Sequence, residues 1–106
     1  MTAKEFQIVL TTCPDAGVAE HIARVLVEEG LAACVNILAP VRSIYKWRGG
    51  IEDASEQLLV IKSTAARFAA IRDRLRDLHP YELPEIIAVP IADGLPEYLA
   101  WLNHPE

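Results

Sequence analysis

Residues 41–63, VRSIYKWRGGIEDASEQLLVIKS, decide the fold of this chain. Residues 41–48 alternate apolar or aromatic side chains with polar ones, and residues 51–63 lead into a further apolar run, so both are predicted to be strands. Gly49 and Gly50 stand between them. Glycine can take a positive φ at both positions of a tight turn without steric cost. The sequence therefore predicts a long antiparallel hairpin closed by a two-residue Gly49-Gly50 turn.

The predicted turn also sets the register of the hairpin. With Gly49 and Gly50 in the turn, Arg48 stands opposite Ile51 and Glu56 stands opposite Ser43. A carboxylate within a largely apolar strand is a candidate pocket residue. A solvated edge position or an ion pair between subunits is the commoner role for such a residue.

The segments on either side of the hairpin complete a βαββαβ order with a terminal helix. Apolar periodicity predicts strands at 6–12, 31–48 with a break at Pro40, 51–63 and 85–91, and helices at 16–29, 64–78 and 95–102. Asp15 is the predicted N-cap of the first helix, Gly30 its predicted C′ residue, and Thr64 the predicted cap of the second helix. Right-handed crossovers place both long helices on one face of a four-stranded antiparallel sheet. The predicted fold class is α+β, ferredoxin-like, with a long hairpin between the second and third strands and a short C-terminal helix, in one domain of residues 1–106.

The strands are too apolar for a sheet with one face in water. Residues 58–61 and 86–89 are apolar throughout, so both faces of the sheet require burial. Residues 51–63 would span about 43 Å as a strand, whereas a helix of about fifteen residues covers only about 22 Å, so the hairpin extends past the helices. The hairpin and the open face together predict a homo-oligomer. The alternative is that the terminal helix alone covers the open face.

Composition excludes several classes of protein. The 106 residues carry fifteen Asp+Glu against ten Lys+Arg, a formal net charge of −5, which argues against binding to nucleic acid or to an anionic membrane. No apolar run approaches the roughly 18 residues of a membrane span, so the protein is expected to be cytoplasmic. Cys13 and Cys34 form no metal or redox motif and are expected to be free thiols. Residues 11–16, TTCPDA, lack the glycine-rich phosphate loop and arginine that an acyl-phosphate hydrolase would need, which argues against an enzyme.

Four stretches together resemble one known family. They are LAACVNI at 31–37, SIYKW at 43–47 followed by Gly49, HPYELPEI at 79–86, and YLAW at 98–101. In this order and over nearly the whole chain they resemble the CutA divalent-cation-tolerance proteins. The resemblance implies a ferredoxin-like fold, a homotrimer akin to the nitrogen-regulatory signalling trimers, a link to tolerance of copper and other divalent metals, and no catalytic reaction. The first-strand thiol that some members are thought to use falls at Thr11 here, which counts against a thiolate copper site.

Candidate site residues follow from these observations. His79, Glu56 and Glu85 are the candidate ligands of a divalent metal, because imidazole and carboxylate suit copper and zinc. A structural role for His79 at the end of the second helix is the commoner alternative. Lys62 is a candidate contact for an anionic ligand near the start of that helix, which leaves a signalling trimer with a small anionic effector as an alternative function. Tyr45, Trp47 and Trp101 are expected to pack at a subunit interface.

Overall fold

The computed structural model describes residues 5–105; residues 1–4 and 106 of the predicted domain lie outside the described part. The strands are β1 (Phe6–Cys13), β2 (Cys34–Ile37), β3 (Val41–Trp47), β4 (Gly50–Thr64) and β5 (Ile87–Pro90), and the helices are α1 (Ala16–Glu28), α2 (Phe68–Leu78) and α3 (Pro96–Asn103). The sheet order is β2-β4-β1-β5, with β3 also paired to β4 and every pairing antiparallel. This is the ferredoxin-like order, so the predicted fold class is confirmed.

Cap chemistry explains where α1 begins and ends. The Asp15 side chain accepts a 2.9 Å hydrogen bond from the Val18 N–H, and Gly30 follows the helix with φ of 73°. Both predictions are therefore confirmed. The predicted cap of α2 is wrong. Thr64 has extended backbone and makes no capping hydrogen bond, because a 3-10 turn over Ala65–Arg67 separates it from the α-helix.

The hairpin turn lies one residue earlier than predicted. Trp47 pairs with Gly50, and the two turn residues are Arg48, with φ of 50°, and Gly49, with φ of 82°. Consecutive positive φ values fit the twist of a two-residue hairpin, so Arg48 adopts the left-handed conformation and Gly50 becomes the first residue of β4. Glu56 consequently stands opposite Val41 and not Ser43. The shift is two positions on the partner strand, so Glu56 keeps its predicted face of the sheet.

The hydrophobic core lies between the sheet and the two long helices. Leu59 and Ile61 of β4 and Ile22 of α1 are fully buried, as are Ile71 and Leu75 of α2. The other face of the sheet is only partly covered. The helix α3 packs against β4 and buries Leu102. Ile87 and Val89 of β5 nevertheless remain 50% and 47% exposed, so α3 does not close this apolar face by itself.

The hairpin projects beyond the helix-covered part of the sheet. β1 pairs with residues 57–64 of β4, whereas residues 50–56 pair with β3 alone. Residues 41–56 therefore form a two-stranded ribbon at one end of a molecule that is 45 Å long and about half as wide. Ile44 and Ile51 on this ribbon are 66% and 75% exposed. Arg42 and Asp53 join its strands by two hydrogen bonds of 2.9 and 2.6 Å.

Candidate functional site

A groove of about 760 Å³ lies between the hairpin and the segment 80–85 that connects α2 to β5. Its lining combines aromatic rings with carboxylates. The side chains concerned are Tyr45, Trp47 and Tyr81, and Glu56, Glu82 and Glu85. Arg48 pairs with Glu82 at 2.7 Å, whereas no lysine or arginine of residues 5–105 forms an ion pair with Glu56 or Glu85. A cation that enters the groove therefore meets two carboxylates, Glu56 and Glu85, without a cationic partner among these residues.

Glu56 is the most constrained carboxylate of the groove. It is 6% exposed, and its Oε2 accepts a 2.6 Å hydrogen bond from the Tyr81 hydroxyl. Burial, followed by this hydrogen bond and the charge of Glu56, raises the pKa of Tyr81 and keeps its proton in place. Glu56 lines the groove together with Tyr45 and Tyr81. The Tyr81 hydrogen bond fixes Glu56 in the groove, and no lysine or arginine of residues 5–105 pairs with it, so its charge is available to a positive ligand.

His79 connects β1 to the segment that carries Tyr81. The Tyr81 N–H donates to His79 Nδ1 at 3.2 Å, which leaves the ring proton on Nε2. That Nε2 donates to the Thr12 carbonyl at 2.8 Å, and the side chain is buried. Both ring nitrogens are thus engaged with backbone groups. A metal could bind His79 only if one of these two hydrogen bonds were broken.

The structure brings two of the three candidate metal ligands into one groove. Glu56 and Glu85 both line it, while His79 lies next to it through its contact with Tyr81. Across residues 5–105, no three side chains of His, Cys, Asp or Glu gather closely enough to hold a metal ion. Hard divalent cations require several oxygen ligands. The carboxylates fit a divalent cation in kind, and further donors would have to come from elsewhere.

The first-strand residues offer no thiolate to this groove. Thr11 is fully buried, and its hydroxyl oxygen has no hydrogen-bond partner within the described chain. Cys13 is also fully buried. Burial raises the pKa of its thiol to about 11, with Glu56 and Asp15 adding to the shift. The thiol therefore stays protonated at neutral pH and is a poor ligand for copper.

Lys62 lies near the end of β4 and does not line the groove. It pairs with Ile8 of β1 and with Cys34 of β2, so its side chain belongs to the sheet face opposite the helices. The alternation along β4 gives the helix-facing positions to Leu59 and Ile61, and the contact of Lys62 with an anionic ligand near the start of α2 stays a prediction.

The predicted interface aromatics occupy two different places. Tyr45 and Trp47 are 44% and 37% exposed and line the groove. Trp101 is half-buried on α3, with its ring 5.7 Å from that of Tyr98. Sequence reasoning missed Thr12 and Ser43, whose hydroxyl groups also line the groove.

The fold and the groove define a class of small α+β proteins: a ferredoxin-like sheet whose central hairpin extends past its helices and forms an acidic groove with the α2–β5 segment. A family model described as CutA1 divalent ion tolerance protein matches residues 7–105. The chain therefore belongs to the CutA1 divalent ion tolerance family.

Known proteins of that family support the assignment. A divalent-cation tolerance protein CutA from Thermus thermophilus is 50% identical over 97 residues, which is 92% of this chain and 94% of that protein. The CutA protein of Mus musculus is 47% identical over 87% of this chain, which spans only 52% of the mouse protein. A solved structure from Archaeoglobus fulgidus, described as a periplasmic divalent cation tolerance protein CutA, is 41% identical with a TM-score of 0.89 and covers 92% of this chain and 94% of that one.

Proposed function

We propose that this chain forms a non-enzymatic cytoplasmic homotrimer linked to tolerance of divalent metals, copper among them, and that it binds divalent metal weakly at the acidic groove. The observation that carries the proposal is the pair of groove carboxylates, Glu56 and Glu85, that form no ion pair with a lysine or arginine within residues 5–105. Glu56 and Glu85 are the proposed ligands. His79 would join them only by exchange of one backbone hydrogen bond for a metal bond.

Assembly would supply what a single chain lacks. Ile87 and Val89 expose an apolar sheet face, and Ile44 and Ile51 expose apolar side chains on the hairpin. Burial of these surfaces against other copies is favourable at about 25 cal/mol per Å². Packing of that kind would place the hairpin of one copy beside a second copy, so that donors from two chains can meet at the groove. The number three rests on the family resemblance.

Calorimetric titration with copper and with zinc tests the metal site. We expect the binding heats of wild type to be lost or reduced in Glu56→Gln and in Glu85→Gln, because each change removes a negative oxygen ligand. Glu20→Gln is the matched control, since it removes the same charge from the exposed surface of α1. Equal heats in wild type and in both groove variants would contradict the site.

Light scattering coupled to size exclusion tests the assembly. We expect a particle of three times the 11.7 kDa chain mass. Ile87→Asp should dissociate it by placing a charge on the open face, while circular dichroism remains that of a folded chain. A wild-type particle of single-chain mass at micromolar concentration would overturn the proposed trimer.

A further inference from the structure

The groove has features that a metal site does not require. Aromatic rings of Tyr45, Trp47 and Tyr81 line it beside the carboxylates, and its volume of about 760 Å³ is typical of a pocket for a whole small molecule. A bare metal ion would leave most of that space and all three rings unused. Aromatic faces next to carboxylates are a favourable environment for an organic cation, because the ring quadrupole and the negative oxygens attract the same charge.

Arg48 already shows which head group these residues accept. Its guanidinium carbon lies 5.3 Å from the centre of the Trp47 ring, and its Nη2 donates to Glu82 Oε2 at 2.7 Å. One guanidinium therefore stacks on an aromatic wall of the groove and pairs with one of its carboxylates. A guanidinium is planar and weakly hydrated, which suits this combination better than a compact ammonium.

Glu56 provides a second anchor deeper in the same groove. Its Oε2 is held by the Tyr81 hydroxyl at 2.6 Å, and the carboxylate lines the groove. Glu56 is only 6% exposed and forms no ion pair within residues 5–105, so a cationic group that enters the groove would give this carboxylate a charge partner. We propose that the groove binds a small organic cation with a guanidinium head group, which donates to the Glu56 carboxylate and packs against Tyr45, Trp47 and Tyr81.

This proposal goes beyond metal tolerance and does not depend on it. A matched series of ligands isolates the head group: n-butylguanidinium, n-butylammonium and n-butylurea share one alkyl chain. Each is titrated calorimetrically into the full-length protein in the presence of EDTA, so that the result is independent of any metal. We expect n-butylguanidinium to bind about fivefold or more tightly than n-butylammonium, and n-butylurea to give no heat. Equal binding of all three, or of none, would overturn the proposal.

Three variants locate the binding. Glu56→Gln should weaken n-butylguanidinium by about tenfold, because it replaces a charge-assisted hydrogen bond by a neutral one. Trp47→Leu should weaken it by severalfold through loss of the ring face. Glu20→Gln, on the exposed surface of α1, should leave the affinity unchanged. Unchanged affinity in both groove variants, with circular dichroism that shows them folded, would contradict the proposed site.

A variant of Arg48 tests whether Trp47 and Glu82 can bind the guanidinium of a ligand. Because its guanidinium occupies Trp47 and Glu82, Arg48→Asn should free both and tighten n-butylguanidinium by about threefold. Asparagine tolerates the left-handed conformation of this turn position, so the hairpin is preserved. Lys46→Gln is the control for charge alone, since it removes one positive charge from the opposite face of β3. Weaker binding in Arg48→Asn, or equal tightening in Lys46→Gln, would overturn the assignment.

Discussion

The two halves of β4 belong to one strand but have opposite surroundings. Residues 57–64 pair with β1 and carry Leu59 and Ile61, which are fully buried under the helices. Residues 50–56 pair with β3 alone and begin with Ile51, which is 75% exposed. An isolated two-stranded hairpin is at best marginally stable in water. The helix-covered half therefore provides most of the folding free energy, whereas the hairpin half offers a surface for ligands and for other copies of the chain.

The first prediction compares the loss of a buried side chain in the helix-covered half with the loss of an exposed one in the hairpin half. Leu59→Ala should lower the free energy of unfolding by about 3 kcal/mol, because it opens a cavity in a fully buried site. Ile51→Ala, the hairpin control, should cost less than about 0.5 kcal/mol at concentrations where chains are separate, and more where copies associate. Urea unfolding at several protein concentrations measures both. If the two variants lost the same free energy of unfolding in dilute solution, the two halves of β4 would not differ in their contribution to stability.

The second prediction concerns Cys13, which pairs with Gln57 where the two halves meet. The pKa of its thiol is about 11 in the folded protein, against 9.0 for an ordinary cysteine. The folded state therefore holds this proton more tightly than the unfolded chain does. Its contribution to stability is complete below pH 9 and is lost as pH rises toward 11, by about 2 kcal/mol over the window.

Urea unfolding under reducing conditions between pH 8 and pH 11 tests this loss. Cys13→Ala should flatten the decline, leaving the part that arises from the raised pKa of Tyr81. Cys34→Ala is the matched removal of a half-buried thiol from β2. If the loss of stability at high pH persisted in Cys13→Ala but disappeared in Cys34→Ala, the Cys34 thiol would be responsible and the prediction would be contradicted.

The third prediction compares neighbouring glycines at the tip of the hairpin. Gly49 has φ of 82°, so Gly49→Ala should strain the turn and destabilise the hairpin by about 1 kcal/mol. Gly50 lies in β4 and has no positive φ, so Gly50→Ala should change the hairpin little. Hydrogen exchange of the amides in residues 41–56 gives the local free energy of opening. If Gly50→Ala reduced the protection of these amides more than Gly49→Ala does, the result would favour the turn at Gly49-Gly50 that the sequence predicts.

The smallest effect compares two exposed ion pairs, one in each region. Arg74 binds Glu29 and ties α2 to the end of α1, whereas Arg42 binds Asp53 across the hairpin. The arginine hydrogen bonds lower the pKa of both carboxyls, so each contribution is present above the usual carboxyl range and is lost as pH falls through the lowered pKa. Double-mutant cycles at low and high salt should show small couplings that salt weakens. Couplings that salt leaves unchanged would contradict this surface character.

Local chemistry made most of the fold predictable. Asp15 and Gly30 reveal the ends of α1 because capping depends on neighbouring residues only. The turn register was missed because Arg48 takes a positive φ to match the twist of the hairpin, a demand that a glycine pair alone does not reveal.

The site was less predictable than the fold. The contact between Glu56 and Tyr81 joins residues 25 positions apart, and the bond from His79 to Thr12 spans 67 positions. Only tertiary structure creates either contact. The residue types in the 79–86 segment pointed to cation chemistry, but they could not show that both nitrogens of His79 are already engaged with the backbone.

The central position of β4 also has a consequence for synthesis on the ribosome. β1, β2 and β3 all pair with it, and its partners in β1 stand 44 to 58 residues earlier in the chain. The β1 and β2 segments of a nascent polypeptide therefore have no strand to pair with until residues 57–64 have left the exit tunnel. Translation speed up to that point, more than after it, sets how long the apolar β1 segment remains open to chaperones.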